Sequence, residues 1–355
     1  MSYRTIAFCL LCIALTAEAQ RVTNELRPVR MKQWGIKPAN FSGITPLGGG
    51  RYAVVSDKEH ADGFYEFQID LDPTDGRIRH IRPYGFRGTA AVRLSKSGVS
   101  LRDCEGIAFC PSYQTVLISG EGDQAIAEYS HQGKATGRTL PVPAAFSADS
   151  IQPNYGFEAL AYDTLRNICW TVTENALRRD AGSGPLPPTQ PRLRLLRFNP
   201  DSTIQTYAYG MEPCRTRRRG RLFAHGVVAL AALPDGRLLV LEREVNVPKN
   251  YIGARCDCRL FVVDPLHAAP LATPSAPIAG TQTPLLSKRE LWKKTTRLNL
   301  TRRNFANYEG MCLAPPLPDG RWPLLLINDS QAGMGKGPVH LKDYLTVLLL
   351  DGISL

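Results

Sequence analysis

The stretch from residue 308 to residue 329 reads YEGMCLAPPLPDGRWPLLLIND. It consists of a short apolar segment, a turn built on Pro318-Asp319-Gly320-Arg321, and a second apolar segment that ends on an acid. Short apolar runs bounded by Pro, Asp and Gly are typical of antiparallel strands joined by a tight connection. The stretch therefore predicts a β-hairpin that carries two carboxylates, Glu309 and Asp329, at its open end.

The same unit occurs five times in the chain, at residues 41–57, 104–121, 156–174, 225–242 and 308–329. The copies begin roughly 50 to 85 residues apart, which is wide enough for four-stranded blades with long loops. No comparable amphipathic helical pattern lies between them, apart from an ambiguous stretch at 287–294. The pattern predicts an all-β, single-domain β-propeller. A β-sandwich would also give short strands, but the recurrence of one unit favours the propeller.

We expect this propeller to have six blades. Five blades correspond to the visible copies, and the sixth is either a divergent copy or is built jointly from the two chain termini. The proline-rich stretch at 265–284 is predicted to be an exposed insertion and not a linker between domains.

Residues 1–19 have the pattern of a signal peptide. Arg4 precedes an apolar run at 6–15, and Ala17-Glu18-Ala19 places small residues where a signal peptidase reads them. Cleavage there would leave Gln20 as the first residue of a propeller domain that spans 20–355. The apolar run is shorter than the roughly 20 residues of a membrane anchor, and no later run approaches that length. We therefore expect an exported protein, periplasmic or secreted, with no transmembrane anchor, and a monomer.

The chain is basic, with 43 Lys and Arg against 32 Asp and Glu and a formal net charge of +11. Such a balance favours anionic partners through the long-range field. The densest basic run, RTRRRGR at 215–221, has no interleaved aromatic residues, and no nucleic-acid-binding motif accompanies it. We predict no nucleic-acid partner. We interpret the run as a solvated loop in preference to a phosphate-binding loop.

Seven cysteines remain once the signal peptide is removed, and an odd number leaves at least one thiol unpaired within the chain. Cys256-Asp257-Cys258 does not have the C-x-x-C spacing of zinc sites, so no zinc site is predicted. Several of the cysteines lie in apolar strand contexts that are typical of core residues.

Acidic residues recur at equivalent positions of the five copies. Glu105, Glu158 and Glu309 stand at the start of the first strand, and Asp57, Glu121, Glu174, Glu242 and Asp329 stand at the end of the second. In an antiparallel pair, the start of one strand and the end of the next lie at the same edge. Closing the blades around an axis would therefore bring all eight acids to one mouth of the central channel.

Carboxylates that are so close repel one another unless a cation neutralises them, and oxygen ligands point to Ca²⁺ or a similar hard ion. Alternatively, the acids accept backbone N–H bonds and join adjacent blades. His225 is the single histidine at a strand-start position; it could act as a base, but a hydrogen-bonded structural role is expected. Lys336, in a glycine-rich loop that lacks P-loop spacing, could contact an anion.

With these residues in view, the chain resembles the phytase-like, or esterase-like, propeller family of exported bacterial proteins. The matching stretches lie between Phe41 and Ser330 and read FSGITPL, DCEGIAF, GFEALAYD, VVALAALPDGRLLVLERE and NYEGMCLAPPLPDGRWPLLLINDS. The family name implies a relation to β-propeller phytases, in which calcium ions bridge an acidic face to substrate phosphates. By this resemblance, Glu105, Glu158 and Glu309 are the first candidates for a metal site, and the other five acids are secondary. The fourth copy departs from the pattern because it lacks the glutamate.

Three functions are compatible with this sequence. The first is a calcium-dependent phosphoesterase or other ester hydrolase that acts on a small anionic, phosphate-ester-like substrate. The second is a non-catalytic binding propeller of the cell envelope, and the third is a sugar-lactone hydrolase or another propeller enzyme with one central metal. Bound calcium would favour the enzymes, whereas a channel filled by apolar side chains would favour the binding protein.

Overall fold

The computed structural model of the protein describes residues 19–181, 190–278, 283–299, 301–335 and 340–354. Residues 1–18 of the predicted signal peptide and Lys336 lie outside the described residues.

The described chain is almost entirely β-structure. It begins with β1 (Arg21–Glu25) and β2 (Val29–Arg30), followed by a short 3-10 helix (Met31–Trp34). The first blade contains β3 (Phe41–Gly48), β4 (Arg51–Ser56), β5 (Ala61–Leu71) and β6 (Ile78–Ala90). The second contains β7 (Cys104–Cys110), β8 (Thr115–Gly120), β9 (Ile126–Ser130) and β10 (Ala135–Thr139). A second 3-10 helix (Ala144–Phe146) precedes the third blade.

The remaining strands form three further antiparallel sheets. The third blade contains β11 (Phe157–Asp163), β12 (Ile168–Thr173), β13 (Arg192–Phe198) and β14 (Ile204–Gly210). The fourth contains β15 (Leu222–Ala232), β16 (Leu238–Val247), β17 (Ala254–Val263) and β18 (Lys288–Leu298). The fifth contains β19 (Asn307–Leu313), β20 (Trp322–Asp329) and β21 (Tyr344–Asp351), with β1 as its outermost strand.

The prediction of an all-β propeller is confirmed, but the prediction of six blades is wrong. The described residues form five sheets, and the two termini build the fifth blade together. Strand β1 pairs antiparallel with β21, where Arg21 lies opposite Asp351, and β2 pairs with the other end of β21. The C-terminal part of the chain supplies three strands of this blade, so the N-terminal strand covers an edge that would otherwise be unpaired.

The first strand of every blade lines the central axis. Strands β3, β7, β11, β15 and β19 each contact the first strands of both neighbouring blades, which closes the ring. Apolar side chains fill the space between blades; Trp170 of the third blade, for example, is fully buried in a cluster with Leu230 and Val240 of the fourth. All seven described cysteines are free thiols, and six of them are buried.

The close approach of neighbouring inner strands requires glycine near the start of the strand at Gly43, Gly106 and Gly310. A Cβ at Gly106 would lie 2.6 Å from the backbone oxygen of Glu158, and a Cβ at Gly43 would lie 2.6 Å from the backbone oxygen of Glu105. These distances are too short for a side chain without movement of the backbone. These glycines, two of which follow a glutamate, therefore mark positions where adjacent blades meet at the axis.

Candidate functional site

A β-bulge near the start of each inner strand directs one side chain of every blade toward the axis. The pairing between first and second strands shifts register at the same place in all five blades. The residues in these bulges are Ser42, Glu105, Glu158, Val228 and Glu309. Bulges re-aim side chains and are common next to functional sites. The three glutamates predicted from the sequence therefore occupy equivalent positions at one end of the channel.

The second strands contribute a further ring of residues just beyond these bulges. The residues that follow the paired positions Ser56, Gly120, Thr173, Glu242 and Asn328 are Asp57, Glu121, Glu174, Arg243 and Asp329. Four of the predicted acids are therefore in place, and an arginine stands where the fourth blade was expected to supply an acid. We call the two rings together, with the adjacent Asp103, the acidic centre.

The prediction that Glu242 belongs to this group is wrong. Glu242 lies opposite Val227, one residue before the ring position, and a shift of one residue turns a side chain to the other face of the sheet. Its carboxylate accepts hydrogen bonds from the Tyr209 hydroxyl at 2.6 Å and from Lys288 Nζ at 2.7 Å. Glu242 therefore belongs to a polar network between the third and fourth blades.

Arg243 connects three blades inside the acidic centre. Its side chain is 5% exposed and forms ion pairs of 2.5 Å with Glu174 of the third blade and Glu309 of the fifth. Its Nη1 also donates to Asn307 Oδ1 at 3.0 Å. Burial raises the pKa of both glutamates above the ordinary value, and the charge of Arg243 opposes this shift. The arginine is thus an internal counter-ion for one side of the ring.

Glu105 and Glu158, on the other side of the ring, have no such partner. They are 6% and 9% exposed, and neither carboxylate has a hydrogen-bond or ion-pair partner among the described residues. Oxygen atoms of Glu105, Glu121 and Glu158 lie within 4.8 Å of one another, and so do those of Asp57, Asp103 and Glu105. Glu105 thus belongs to two groups of three carboxylates, each of which could hold a cation.

The edge of this group is held by one lysine. Lys58 Nζ lies 2.6 Å from Asp57 and 3.0 Å from Asp103. The sequence prediction did not include Asp103 or Lys58, although both stand next to predicted acids. The signal available was the pattern Asp-Cys-Glu at 103–105, in which the first acid precedes the strand and the second lies in its bulge.

The alternative role predicted for the acids, in which they accept hydrogen bonds from backbone N–H groups, applies to only some of them. Glu121 accepts the Gly156 N–H at 3.1 Å and so connects the second and third blades. Asp329 accepts the Gln331 N–H at 2.5 Å. Glu105 and Glu158 accept no backbone N–H within the described part of the chain.

Burial and mutual repulsion raise the pKa values of this group. Burial is the main cause that holds the pKa of Glu105 and Glu158 well above the usual range, and neighbouring carboxylates add to it. Burial likewise raises the pKa of Asp57 to about 6 and those of Glu121 and Asp329 to about 7. At neutral pH, full ionisation of the centre therefore requires additional positive charge.

An apolar layer closes the channel directly beneath the ring. Two residues after each bulge, the inner strands carry Ile44, Ile107, Leu160, Leu230 and Met311, all of them buried. A space of only about 10 Å³ remains between this layer and the ring residues. The layer excludes water from one side of the acids, which is why their ionisation is unfavourable.

Two other predicted features lie outside the centre. His225 is paired with Glu244 on the polar face of the fourth blade, where burial lowers the pKa of the imidazole. Within the basic run, Arg217 and Arg218 are exposed, and the Arg219 guanidinium lies 4.5 Å from the centre of the Phe223 ring.

Among the described residues, no helix is long and apolar enough to cross a membrane.

The fold and these residues define a class: five-bladed β-propellers whose inner strands present bulged glutamates at one mouth of the channel. The model of the phytase-like family, described as esterase-like activity of phytase, matches residues 37–331. The chain belongs to this family.

Solved structures of other propellers are similar to this fold at low sequence identity. A luciferin-regenerating enzyme is 12% identical with a TM-score of 0.39, over 91% of this chain and 95% of that one. A streptogramin B lyase is 14% identical with a TM-score of 0.37, over 91% and 97%. The periplasmic gluconolactonase PpgL of Pseudomonas aeruginosa is 11% identical with a TM-score of 0.36, over 86% and 88%. None of the curated proteins matches the sequence.

Proposed function

We propose that this protein is an exported, monomeric, calcium-dependent hydrolase of small anionic esters, including phosphate esters, that acts at the acidic centre. One observation carries the proposal: two buried carboxylates, Glu105 and Glu158, have no partner among the described residues and lie beside a third, Glu121, within 4.8 Å. Buried ionisable groups are normally paired or bind metals. Three converging carboxylate oxygens fit a hard cation such as Ca²⁺.

The charge balance of the centre supports the same assignment. Among the described residues, two cationic side chains, Lys58 and Arg243, form ion pairs with four of its eight carboxyl groups. Lys58 pairs with Asp57 and Asp103, and Arg243 pairs with Glu174 and Glu309. Neither cation forms an ion pair with Glu105 or Glu158. An exchangeable cation between these two glutamates would compensate the charge that the protein itself leaves uncompensated.

The proposed chemistry follows from what each group can hold. Bound calcium would polarise a phosphoryl or carbonyl oxygen and lower the pKa of a water molecule. Glu105, Glu121 and Glu158 would hold the cation, while the apolar layer beneath them excludes bulk water from the reacting centre. The net charge of +11 would attract an anionic substrate toward the protein.

A non-catalytic binding propeller is the second candidate. The apolar layer at Ile44, Ile107 and Leu160 favours it, because a closed channel leaves the acidic centre as a shallow surface site. In that case the cation would fix an anionic ligand without hydrolysis.

Calcium binding is tested by thermal unfolding of the wild type and of Glu105→Gln/Glu158→Gln, each in excess calcium and in chelator. A ligand at 100 times its Kd stabilises the folded state by about 2.7 kcal/mol. We expect such a gain in the wild type and its loss in the double variant. Glu128→Gln is the matched control, because Glu128 pairs with Arg138 on the surface of the second blade.

Hydrolysis is measured on 4-nitrophenyl phosphate and 4-nitrophenyl acetate with the same proteins. An unfolding curve of the wild type that calcium leaves in place would refute the cation site. Calcium binding without hydrolysis of either ester would favour the binding propeller.

Export is tested separately by the N-terminus of protein from its native host, which we expect at Gln20. An intact Met1 would contradict export.

A further inference from the structure

The fourth blade extends beyond the acidic centre on the side where the channel opens. Strand β15 begins five residues before Val227, the residue equivalent to Phe41 or Cys104, which begin their own strands. At about 3.3 Å per residue, this extension is roughly 16 Å long. Strand β16 runs beside it to Val247, and β17 pairs with this part of β16, so that a wall of strands stands next to the centre.

The two faces of this wall differ in polarity. Leu222 lies opposite Val247 and Ala224 lies opposite Val245, and these apolar pairs share the face that carries Arg243. The opposite face carries His225 and its cross-strand partner, Glu244. An apolar surface therefore borders the acidic centre.

A pocket of about 280 Å³ lies against the apolar face of the wall. Phe305 and Leu341 of the fifth blade and Tyr155 of the third blade complete its apolar part. Its other end is formed by Arg243, Glu309 and Asp329, which belong to the acidic centre. The pocket and the centre are therefore continuous, and the Nε of the buried Arg243 has no hydrogen-bond partner among the described groups.

We propose that this pocket binds an apolar group, an aryl or branched alkyl moiety, of the anionic ester whose charged end is held at the acidic centre. The inference rests on the proposed function and adds the substrate class. A dry apolar cavity of about 150 Å³ can hold benzene, so the pocket has room for a single or fused aromatic ring. A substrate charged on all sides would instead lose hydration against Leu222, Val245 and Val247 without compensation.

The test compares ligands that share a head group and differ in the apolar part. Isothermal titration in calcium measures the binding of 1-naphthyl phosphate and methyl phosphate to the full-length mature protein. Since an extra apolar group in a matching pocket changes affinity by about tenfold or more, we expect naphthyl phosphate to bind at least ten times more tightly. Ala224→Trp, which fills the pocket, should reduce this ratio to about one.

Two further proteins keep the test decisive. Val245→Thr keeps the side-chain volume but makes the pocket polar, and it should lower the ratio severalfold even if Ala224→Trp does not fold. Leu165→Trp is the control, because Leu165 is 64% exposed and lies at the opposite mouth of the channel. It should retain the ratio of the wild type.

The pocket can be tested without the cation site. In chelator, neutral 2-naphthol should bind the wild type and Leu165→Trp but not Ala224→Trp. This result would support the pocket even if calcium binding and hydrolysis both failed. Equal affinities for naphthyl and methyl phosphate in the wild type, or binding of 2-naphthol that Ala224→Trp leaves unchanged, would overturn the inference.

Discussion

Replacement of Arg243 by Met tests how the acidic centre is held together. The methionine retains much of the apolar stem of the arginine and removes its charge. Glu174 and Glu309 each lose an ion pair of 2.5 Å, and their side chains are only 2% and 12% exposed. Because the guanidinium joins three blades, its loss acts on the contacts that close the ring.

The size of the effect follows from the burial of the pair. Removal of one partner of a buried ion pair costs about 3–5 kcal/mol, because the other charge is left uncompensated. For a domain longer than 250 residues, taking about 2 °C per kcal/mol, this corresponds to a lower Tm by roughly 6–10 °C. The loss should be smaller at pH 5 than at pH 8, because the two carboxyls can become protonated at the lower pH.

The assay is thermal unfolding in chelator at both pH values. Arg243→Met/Glu174→Gln/Glu309→Gln removes the two carboxylate charges as well and should recover most of the stability at pH 8. Arg138→Met, which breaks a surface pair with Glu128, should cost less than about 1 kcal/mol and serves as the control. The reasoning is refuted if Arg243→Met is as stable as Arg138→Met at pH 8, or if the triple variant is no more stable than the single one.

Three further predictions concern the pH dependence, the axis and the insertion. In chelator, the free energy of unfolding should fall as pH rises from 5 to 8, because groups such as Glu121, with its pKa raised to about 7, bind protons more tightly in the folded state. Urea unfolding measures this, excess calcium should reduce the fall, and a rise with pH would contradict it. Gly106→Ala should lose about 1–3 kcal/mol, because its Cβ would lie 2.6 Å from the Glu158 backbone oxygen; unchanged stability would show that the inner strands can separate. Arg194→Met should expose the proline-rich insertion to protease, because buried Arg194 pairs with Asp180 and donates to two carbonyls of that segment; a wild-type cleavage rate in limited proteolysis would exclude this anchoring role.

The inner hairpins and three central glutamates could be predicted because their signals are local. Each inner hairpin contains two apolar segments and a turn within about 20 residues. Glu105, Glu158 and Glu309 stand at the same place, the start of the first strand, in three of the five copies. The blade count could not be predicted in this way. Strand β1 reads RVTNE and is mostly exposed, and its partner β21 lies more than 300 residues away. No local sequence pattern indicates that β1 pairs with β21.

The error at Glu242 has a different cause. Residues 241–244 read LERE, and the strand was expected to end at the first acid, whereas β16 continues to Val247. Which residue reaches the axis depends on the bulge at Val228 and on the pairing of Val227 with Glu242. Neither is visible in the composition of one strand. A single residue of register therefore separates an acid in the ring from an arginine in the ring.

This arginine makes the centre asymmetric, and the asymmetry connects both proposals. Glu174 and Glu309 share the charge of Arg243, so the proposed cation would lie on the opposite side, between Glu105 and Glu158. The apolar pocket opens on the Arg243 side. An anionic ester that binds both would therefore have its charged end over the cation and its apolar group beyond the arginine. With a fifth carboxylate in place of Arg243, the second ring would offer equivalent positions for cations and would provide no fixed direction for the substrate.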